Sequence, residues 1–453
     1  MDSGQKCALA SSGLKLTYSD KPVTAWGGLA PFAELFERSG LRGFIRETPW
    51  PAGKSNNASD PAETFMAFLV TLWTGGFRFS HTAYLRGDEG LRALFNLTEV
   101  PAACTFTRWF NRFTQGDLDP TLDALNRRLW AKVKPLTLTL DLDSSVFTRE
   151  GEQEGAERGY NPGKNGHRSH HPLFAFAAGI RMVVNCWLRP GAAGAANNAT
   201  GFLDQTLEIL APAHTVGLVR ADSGFCSEKF IGHVESKKLE YVIAAPFRTN
   251  FRHHVGGNKG WVSVAQGIEV SETLWRLNPK SELRRVVMVR QHVFLKPDAQ
   301  GKTLFPTERT YRYSAYVTNL KLPPAEVWRL YRGRADCENR LKELKYDFGA
   351  DKLCLKDFWA TEAALKAVIF AYNAMAIARQ IHSQEEGRQT LGTKRATCYA
   401  VGGILGREGR TRVLRLGLGK ERRPWFEGLW SAAQTCDPWD VTPVTKSPKK
   451  PPS

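Results

Sequence analysis

The sequence predicts an α/β protein: a mixed sheet with a β-rich insertion, preceded by a helical N-terminal domain and followed by a helical C-terminal region. Three observations carry this. At Leu136 the hydrophobic period changes from helical to alternating, with Leu136, Leu138, Leu140 and Leu142 on one side of a strand and Thr137, Thr139, Asp141 and Asp143 on the other. From there to residue 246 the pattern runs βββαβαβ. A stretch at 247–318 then reads as strands without a helix of useful length, and two long helical patterns come after it.

Before Leu136, helical patterning covers residue 20 to about 133, in segments such as 31–37, 64–73 and 122–130. Within it, 88–95, a turn through Pro101 and 106–113 form a candidate helix-turn-helix. Phe106, Trp109, Phe110 and Phe113 would be its buried side, with Arg108 and Arg112 outside at i,i+4 spacing. An ordinary core helix with solvated arginines satisfies the same pattern. After the first strand, a polar segment at 149–171 leads to strands at 172–179 and 180–188 and a helix at 201–210. An apolar strand at 216–225 carries Asp222 near its end, and a helix at 227–239 and a strand at 240–246 complete the unit. In the insertion, 284–295 and 311–317 read as strands. Pro323-Pro324 suits the first turn of a helix running to Gly349; Gly333 inside it costs about 1 kcal/mol relative to Ala. A second long helix spans 361–382. The organisation is therefore 1–133 helical, 134–246 the first part of the sheet domain, 247–318 the insertion, 319–385 its helical completion and 386–453 a C-terminal region. Its Pro/Lys-rich basic tail, 442–453, is expected to be disordered.

The 62 Lys+Arg against 45 Asp+Glu leave a formal charge of +17, which favours a polyanionic partner, nucleic acid before an anionic membrane surface. The longest apolar run, 363–378, contains Lys366 and Asn373 and reads as a core helix rather than a membrane span. The N-terminus lacks the apolar stretch of a secretory signal, so an intracellular protein is expected. Eight cysteines are scattered without a Cys-x-x-Cys pair, and reduced, mostly buried thiols are expected. Cys337, about 100° around the helix from Glu338, is read as packing.

On the helix at 331–345, Arg334, Glu338 and Lys345 lie 3, 7 and 14 residues after Tyr331. At 3.6 residues per turn these offsets rotate by roughly −60°, −20° and −40°, so the four side chains share one face. Leu330, Leu341, Leu344 and Phe348 form an apolar stripe beside it. A solvated charged face with i,i+4 pairs is the plain alternative. Asp143 and Asp222 end strands that an open sheet can place at one edge, and a helix alongside can bring Glu338. Three clustered carboxylates need counter-charge, so the arrangement implies Mg²⁺ or Mn²⁺, as two ions suited to phosphodiester chemistry.

These residues resemble the DDE transposases of bacterial insertion sequences, whose catalytic core is ribonuclease H-like. Tyr331, Arg334, Glu338 and Lys345 match the signature Tyr, two residues, Arg, three residues, Glu, six residues, Lys. Leu140-Asp-Leu-Asp-Ser-Ser145 is similar to the first-acid motif, with Ser145 where Thr is common, and Val219-Arg-Ala-Asp-Ser-Gly-Phe225 to the second. The resemblance covers roughly 135–380 and is weak at the ends. It implies that Asp143, Asp222 and Glu338 are the catalytic metal ligands, and that Tyr331, Arg334 and Lys345 contact phosphates near the cleaved end. Asp141 is the rival first acid; Asp143 better fits the motif and the strand end. Loop 159–172 resembles the family's loop between its first two strands, with Lys164 and Arg168 as phosphate contacts or, alternatively, as part of a solvated loop. Its His167, His170 and His171 lack a Cys or acid at zinc spacing. The family's flipped-base aromatic has only Tyr313 or Tyr316 as candidates here, and strand packing is the alternative for both.

The implied function is cut-and-paste transposition: a homodimer on double-stranded DNA binds terminal inverted repeats, hydrolyses the ends and joins the 3′-hydroxyls to target DNA. Domain 1–133, with Arg108 and Arg112, would bind the ends, without a membrane, in the bacterial cytoplasm at the nucleoid. A ribonuclease H-like nuclease without strand transfer is the second enzyme reading. A transposase-derived DNA-binding protein is the third, although binding alone does not require three acids.

Overall fold

The computed structural model describes residues 12–441 apart from 15, 19, 212, 248, 295–308 and 383–388. The tail expected at 442–453 lies outside the described residues. The N-terminal region is helical, with α1 (Ala30–Arg38), α2 (Pro61–Trp73), α3 (Ala103–Phe110) and α4 (Ala124–Lys132) as its main elements. Helix α2 starts where Asp60 accepts from the Ala62 and Glu63 amides at 2.7 and 3.3 Å and proline occupies the first turn. Residues Ala62 to Trp73 are all buried, so this helix is enclosed on every side and sits inside the molecule. The N-terminal helices and the sheet share one continuous apolar core.

That sheet has nine strands: β1 (Thr137–Ser144), β2 (Leu173–Ala177), β3 (Met182–Trp187), β4 (Thr215–Ala221), β5 (Tyr241–Ala244), β6 (Val262–Ala265), β7 (Ile268–Arg276), β8 (Leu283–Phe294) and β9 (Arg309–Thr318). Their spatial order is β6-β7-β8-β9-β5-β4-β1-β2-β3. β1 runs antiparallel to β2 and parallel to β4, and β4 runs parallel to β5. The mixed α/β architecture expected from the sequence is present. The insertion strands extend this sheet, because β9 pairs with β5 through Val317↔Ile243. A helix, Thr249–Gly257, opens the insertion where none was expected. Its buried anchors Phe251 and Val255 are one turn apart in a polar segment, too sparse a stripe to read as a period.

Helices α5 (Ala199–Leu210) and α6 (Glu228–Ser236) provide the crossovers between the parallel strands. The single helix expected up to Gly349 is two, α7 (Pro324–Arg332) and α8 (Ala335–Tyr346). Between them the backbone bonds tighten to i→i−3: the Gly333 amide donates to Leu330 O at 3.2 Å, Arg334 to Tyr331 O at 2.9 Å and Cys337 to Arg334 O at 2.9 Å. Arg220 on β4 explains the break. Its Nη1 donates to Leu330 O at 2.6 Å, taking the carbonyl that a continuous α-helix would offer to the Arg334 amide. Gly333 permits the approach, since a Cβ there would lie 2.4 Å from Arg220 Nη1.

The long helix α9 (Phe358–His382) crosses the core, and two of its polar interior residues tie it to its neighbours. Lys366 Nζ lies 2.6 Å from Asp123 Oδ1, joining the N-terminal helices to the sheet domain. Asn373 exchanges two 2.8 Å bonds with the Val183 backbone, covering the edge of β3. The C-terminal region is helical only in part. A hairpin, Gly403–Glu408 with Thr411–Leu416, pairs with Val23–Thr24 of the N-terminal region, and α10 (Arg423–Thr435) receives Arg38 at its C-terminal end, where Nη1 reaches Cys436 O at 3.0 Å. No helix among the described residues is long and apolar enough to cross a membrane.

Candidate active site

Strand β1 supplies two acids with different surroundings. Asp141 is held by Arg220 through two bonds of 2.6 and 2.8 Å and is 2% exposed. Both of its oxygens are engaged by one guanidinium. Asp143, two residues on, reaches the edge of the sheet. Leu142 faces Ala221 across the parallel ladder, so Asp143 and Asp222, each one residue further, leave adjacent strands at the same end. Asp143 Oδ1 accepts from the Ser144 amide at 2.8 Å and lies 3.0 Å from Arg334 Nη2. Burial pushes its carboxyl up to about 6; Arg334 opposes the rise and the charge of Asp222 adds to it. Asp222 caps the turn Ser223–Phe225, accepting from the Gly224 amide at 2.9 Å.

The α7–α8 junction decides what faces this pair. Three-residue turns add roughly 20° per residue over the α-helical rotation, so the tightened stretch swings α8 by about 60° relative to α7. Cys337, expected to pack away from the chemistry, instead donates from Sγ to Asp143 Oδ2 at 3.6 Å. Arg334, one turn earlier, is turned inward as well; it is 7% exposed and also donates to Leu142 O at 3.2 Å. Glu338 is exposed at the next position of α8. Among the described residues no three His, Cys, Asp or Glu side chains are gathered so as to hold a metal ion. The assembled part is Asp143 with Asp222, and Glu338 stands outside it.

Tyr331 and Lys345 flank the acids. The Tyr331 ring lies 4.3 Å from that of Tyr316, and burial pushes its phenol up to about 12, with Arg334 pulling down and Asp143 and Asp222 among the charges pushing up. Lys345 donates to Val146 O at 3.1 Å and rests over the Phe147 ring; burial lowers its pKa. A cleft of about 1030 Å³ opens here, lined by Ser144, Asp222, Lys345, Asp351, Tyr160 and Lys164 among others. Lys164 is exposed on its rim, 2.6 Å from Glu150 Oε1, and Arg168 is exposed on the short strand Arg168–His170.

The loop histidines His170 and His171 have structural roles. His170 accepts at Nδ1 from Arg149 Nε (3.0 Å), so its Nε2 donates to Glu154 O (2.9 Å); burial lowers its pKa to about 4. His171 donates from Nδ1 to Ala193 O at 2.8 Å, leaving Nε2 to accept from Ser144 Oγ at 3.1 Å, which steadies the strand end beside Asp143. Tyr316 is buried, while Tyr313 is 37% exposed and packs near Trp261 and Phe247. In the N-terminal region Phe106, Trp109, Phe110 and Phe113 are buried as expected. Arg108 is exposed and bonds its own helix through Cys104 O at 3.3 Å, and Arg112 lies over Gly53. No disulfide is present among the described cysteines; Cys186, Cys337 and Cys398 are buried as expected, Cys226 is half-buried, and Cys104, Cys354 and Cys436 are exposed.

A profile of the family described as transposase DDE domain group 1 matches residues 8–434. The chain belongs to that family. No curated protein matches it. Among solved structures, a piggyBac transposase synaptic complex with hairpin DNA is similar over 84% of this chain and 82% of that one, at 12% identity and a TM-score of 0.43. Membership of the DDE transposase family makes the protein a metal-dependent enzyme acting on DNA. Its strand-end donors suit such an ion: they are hard oxygens, and Mg²⁺ is commonly held by one or two carboxylates with other oxygens completing the shell. A cation between Asp143 and Asp222 would also relieve the repulsion that contributes to the raised Asp143 pKa. Sequence reasoning missed Arg220, although a charge within Leu218-Val-Arg-Ala221 of a buried strand signals a buried partner.

Proposed function

We propose that this transposase cuts and joins the ends of its own element, a bacterial insertion sequence, with Asp143, Asp222 and Glu338 as ligands of two Mg²⁺ or Mn²⁺ ions. The observation that carries the reading is the Asp143–Asp222 pair at neighbouring strand ends, beside a cleft whose walls bear Lys345 and Lys164. When bound, the ions would activate the attacking oxygen and stabilise the leaving one. Arg334 favours the ionised form of Asp143, the form a metal requires. Tyr331 keeps its proton at neutral pH and is able to donate to a phosphate oxygen, while Lys345, Lys164 and Arg168 offer positive charge. Arg108 and Arg112 would contact the terminal inverted repeats, with two copies on paired ends, in the bacterial cytoplasm.

The test uses the full chain, Mg²⁺ and a labelled duplex carrying the inverted repeats that flank the gene. Cleaved ends and a joined product are expected, and both should vanish in D143A, D222A and E338Q. Cleavage without joining would support a nuclease instead. Unchanged cleavage in the three variants would overturn the site assignment. End recognition is tested with R108Q/R112Q rather than by deleting 1–133, because that deletion would strip the shared core.

A further inference from the structure

The hairpin at 403–416 is an anchored, positively charged ribbon. Glu408 pairs with Thr411, leaving a two-residue turn in which Gly409 has φ 60° and Arg410 does not have positive φ. That is a type II′ turn, which matches the strand twist. On its inner face Leu405 pairs with Leu414 and Gly403 with Leu416, and the Leu416 side chain closes on Gly27. Pairing with Val23–Thr24 and bonds of 3.3 Å from Arg412 to Ala93 O and Asn96 Oδ1 fix the hairpin to the N-terminal helices.

Its charge is one-sided. Between 403 and 423 stand Arg407, Arg410, Arg412, Arg415, Lys420, Arg422 and Arg423 against Glu408 and Glu421, and Glu408 is taken by Arg415 at 2.7 Å. Arg407 and Arg412 face each other directly across the ladder, a like-charge pair that weakens a hairpin in isolation. Arg407 and Arg410 are exposed, and neither enters an ion pair among the described residues. Such a repulsive pair at the end of an anchored ribbon is relieved by an external polyanion.

We infer that this hairpin is a DNA-backbone contact of the transposase, gripping duplex phosphates through Arg407 and Arg410 without reading base sequence. The inference rests on the reading of the protein as one that binds DNA. The competing explanation is that the arginines at the tip merely keep the end of the ribbon beyond its pairing with Val23–Thr24 from pairing with another chain.

Fluorescence anisotropy of the full chain on a labelled random-sequence duplex, from about 50 to 200 mM salt, separates the two, because each lost phosphate contact lowers the salt slope by about 0.9. R407Q/R410Q is expected to lower the slope by roughly 1.8 with its melting temperature unchanged, R407K/R410K to retain it, and K237Q/K238Q, a pair just after α6, to change it less. If R407Q/R410Q melts early, R410Q alone at the turn should lower the slope by about 0.9. A native-like R407Q/R410Q with the wild-type slope, or a control pair with an equal loss, overturns the hairpin contact while leaving DNA binding intact. A wild-type chain that binds no duplex overturns the underlying reading as well.

Discussion

The interior of β1 and its end hold the same residue type on the same face, yet the two acids are in opposite conditions. Asp141 has both oxygens bonded to Arg220 inside the molecule, whereas Asp143 shares its edge with Asp222 and has only a one-nitrogen pair with Arg334. A fully satisfied buried pair resists change. An acid that is buried, crowded by a second acid and only partly compensated gains from a cation. In the proposed reading, two residues of strand separate structural from chemical use of aspartate, and the difference between them is whether Arg220 reaches.

The comparison breaks most visibly in activity. D143N and D222N should each lose DNA cleavage by on the order of 10³-fold or more, measured as initial rate on a pre-formed end complex. D141N should do its damage through stability: leaving Arg220 buried without its acid should cost about 3–5 kcal/mol in denaturant unfolding, with activity per folded molecule largely kept. Next comes pH. Because the folded-state pKa of Asp143 is raised from 3.8 to about 6, the native state binds more protons than the unfolded chain between those values, and stability falls as pH rises through that window. The contribution amounts to roughly 3 kcal/mol, fully present below pH 3.8 and gone above about 6. Metal-free D143N should lack this slope, seen as a smaller difference in unfolding free energy between about pH 4 and about pH 7 than in the wild type. The smallest effect is expected for C337S, which keeps a donor to Asp143 and should change cleavage by only a few fold; a loss as large as that of D143N would give the thiol a direct role.

Much of this was legible in the chain. The alternation from Leu136 to Asp143 located β1 and put an acid at its end, and the apolar run before Asp222 located its parallel neighbour, because a two-residue period with a terminal acid depends only on local pattern. Features that depend on distant groups were not legible. The helix through Gly333 reads as continuous, whereas Arg220, more than a hundred residues earlier, bonds the Leu330 carbonyl at the break, beyond which Cys337 meets Asp143 and Glu338 is exposed. The insertion read as a separate strand-rich piece because nothing in Tyr316-Val-Thr318 announces that it pairs with β5. The C-terminal hairpin was hidden by its arginines and glycines, which mask a short alternating pattern.

The most direct test of the account is a Mn²⁺ titration of the metal-free transposase monitored by electron paramagnetic resonance, comparing wild type with D141N, D143N, D222N and E338Q. Loss of tight Mn²⁺ binding in D143N and D222N, weakened binding in E338Q and retention in folded D141N is the predicted result. Wild-type binding by D143N, or loss confined to D141N, would contradict it.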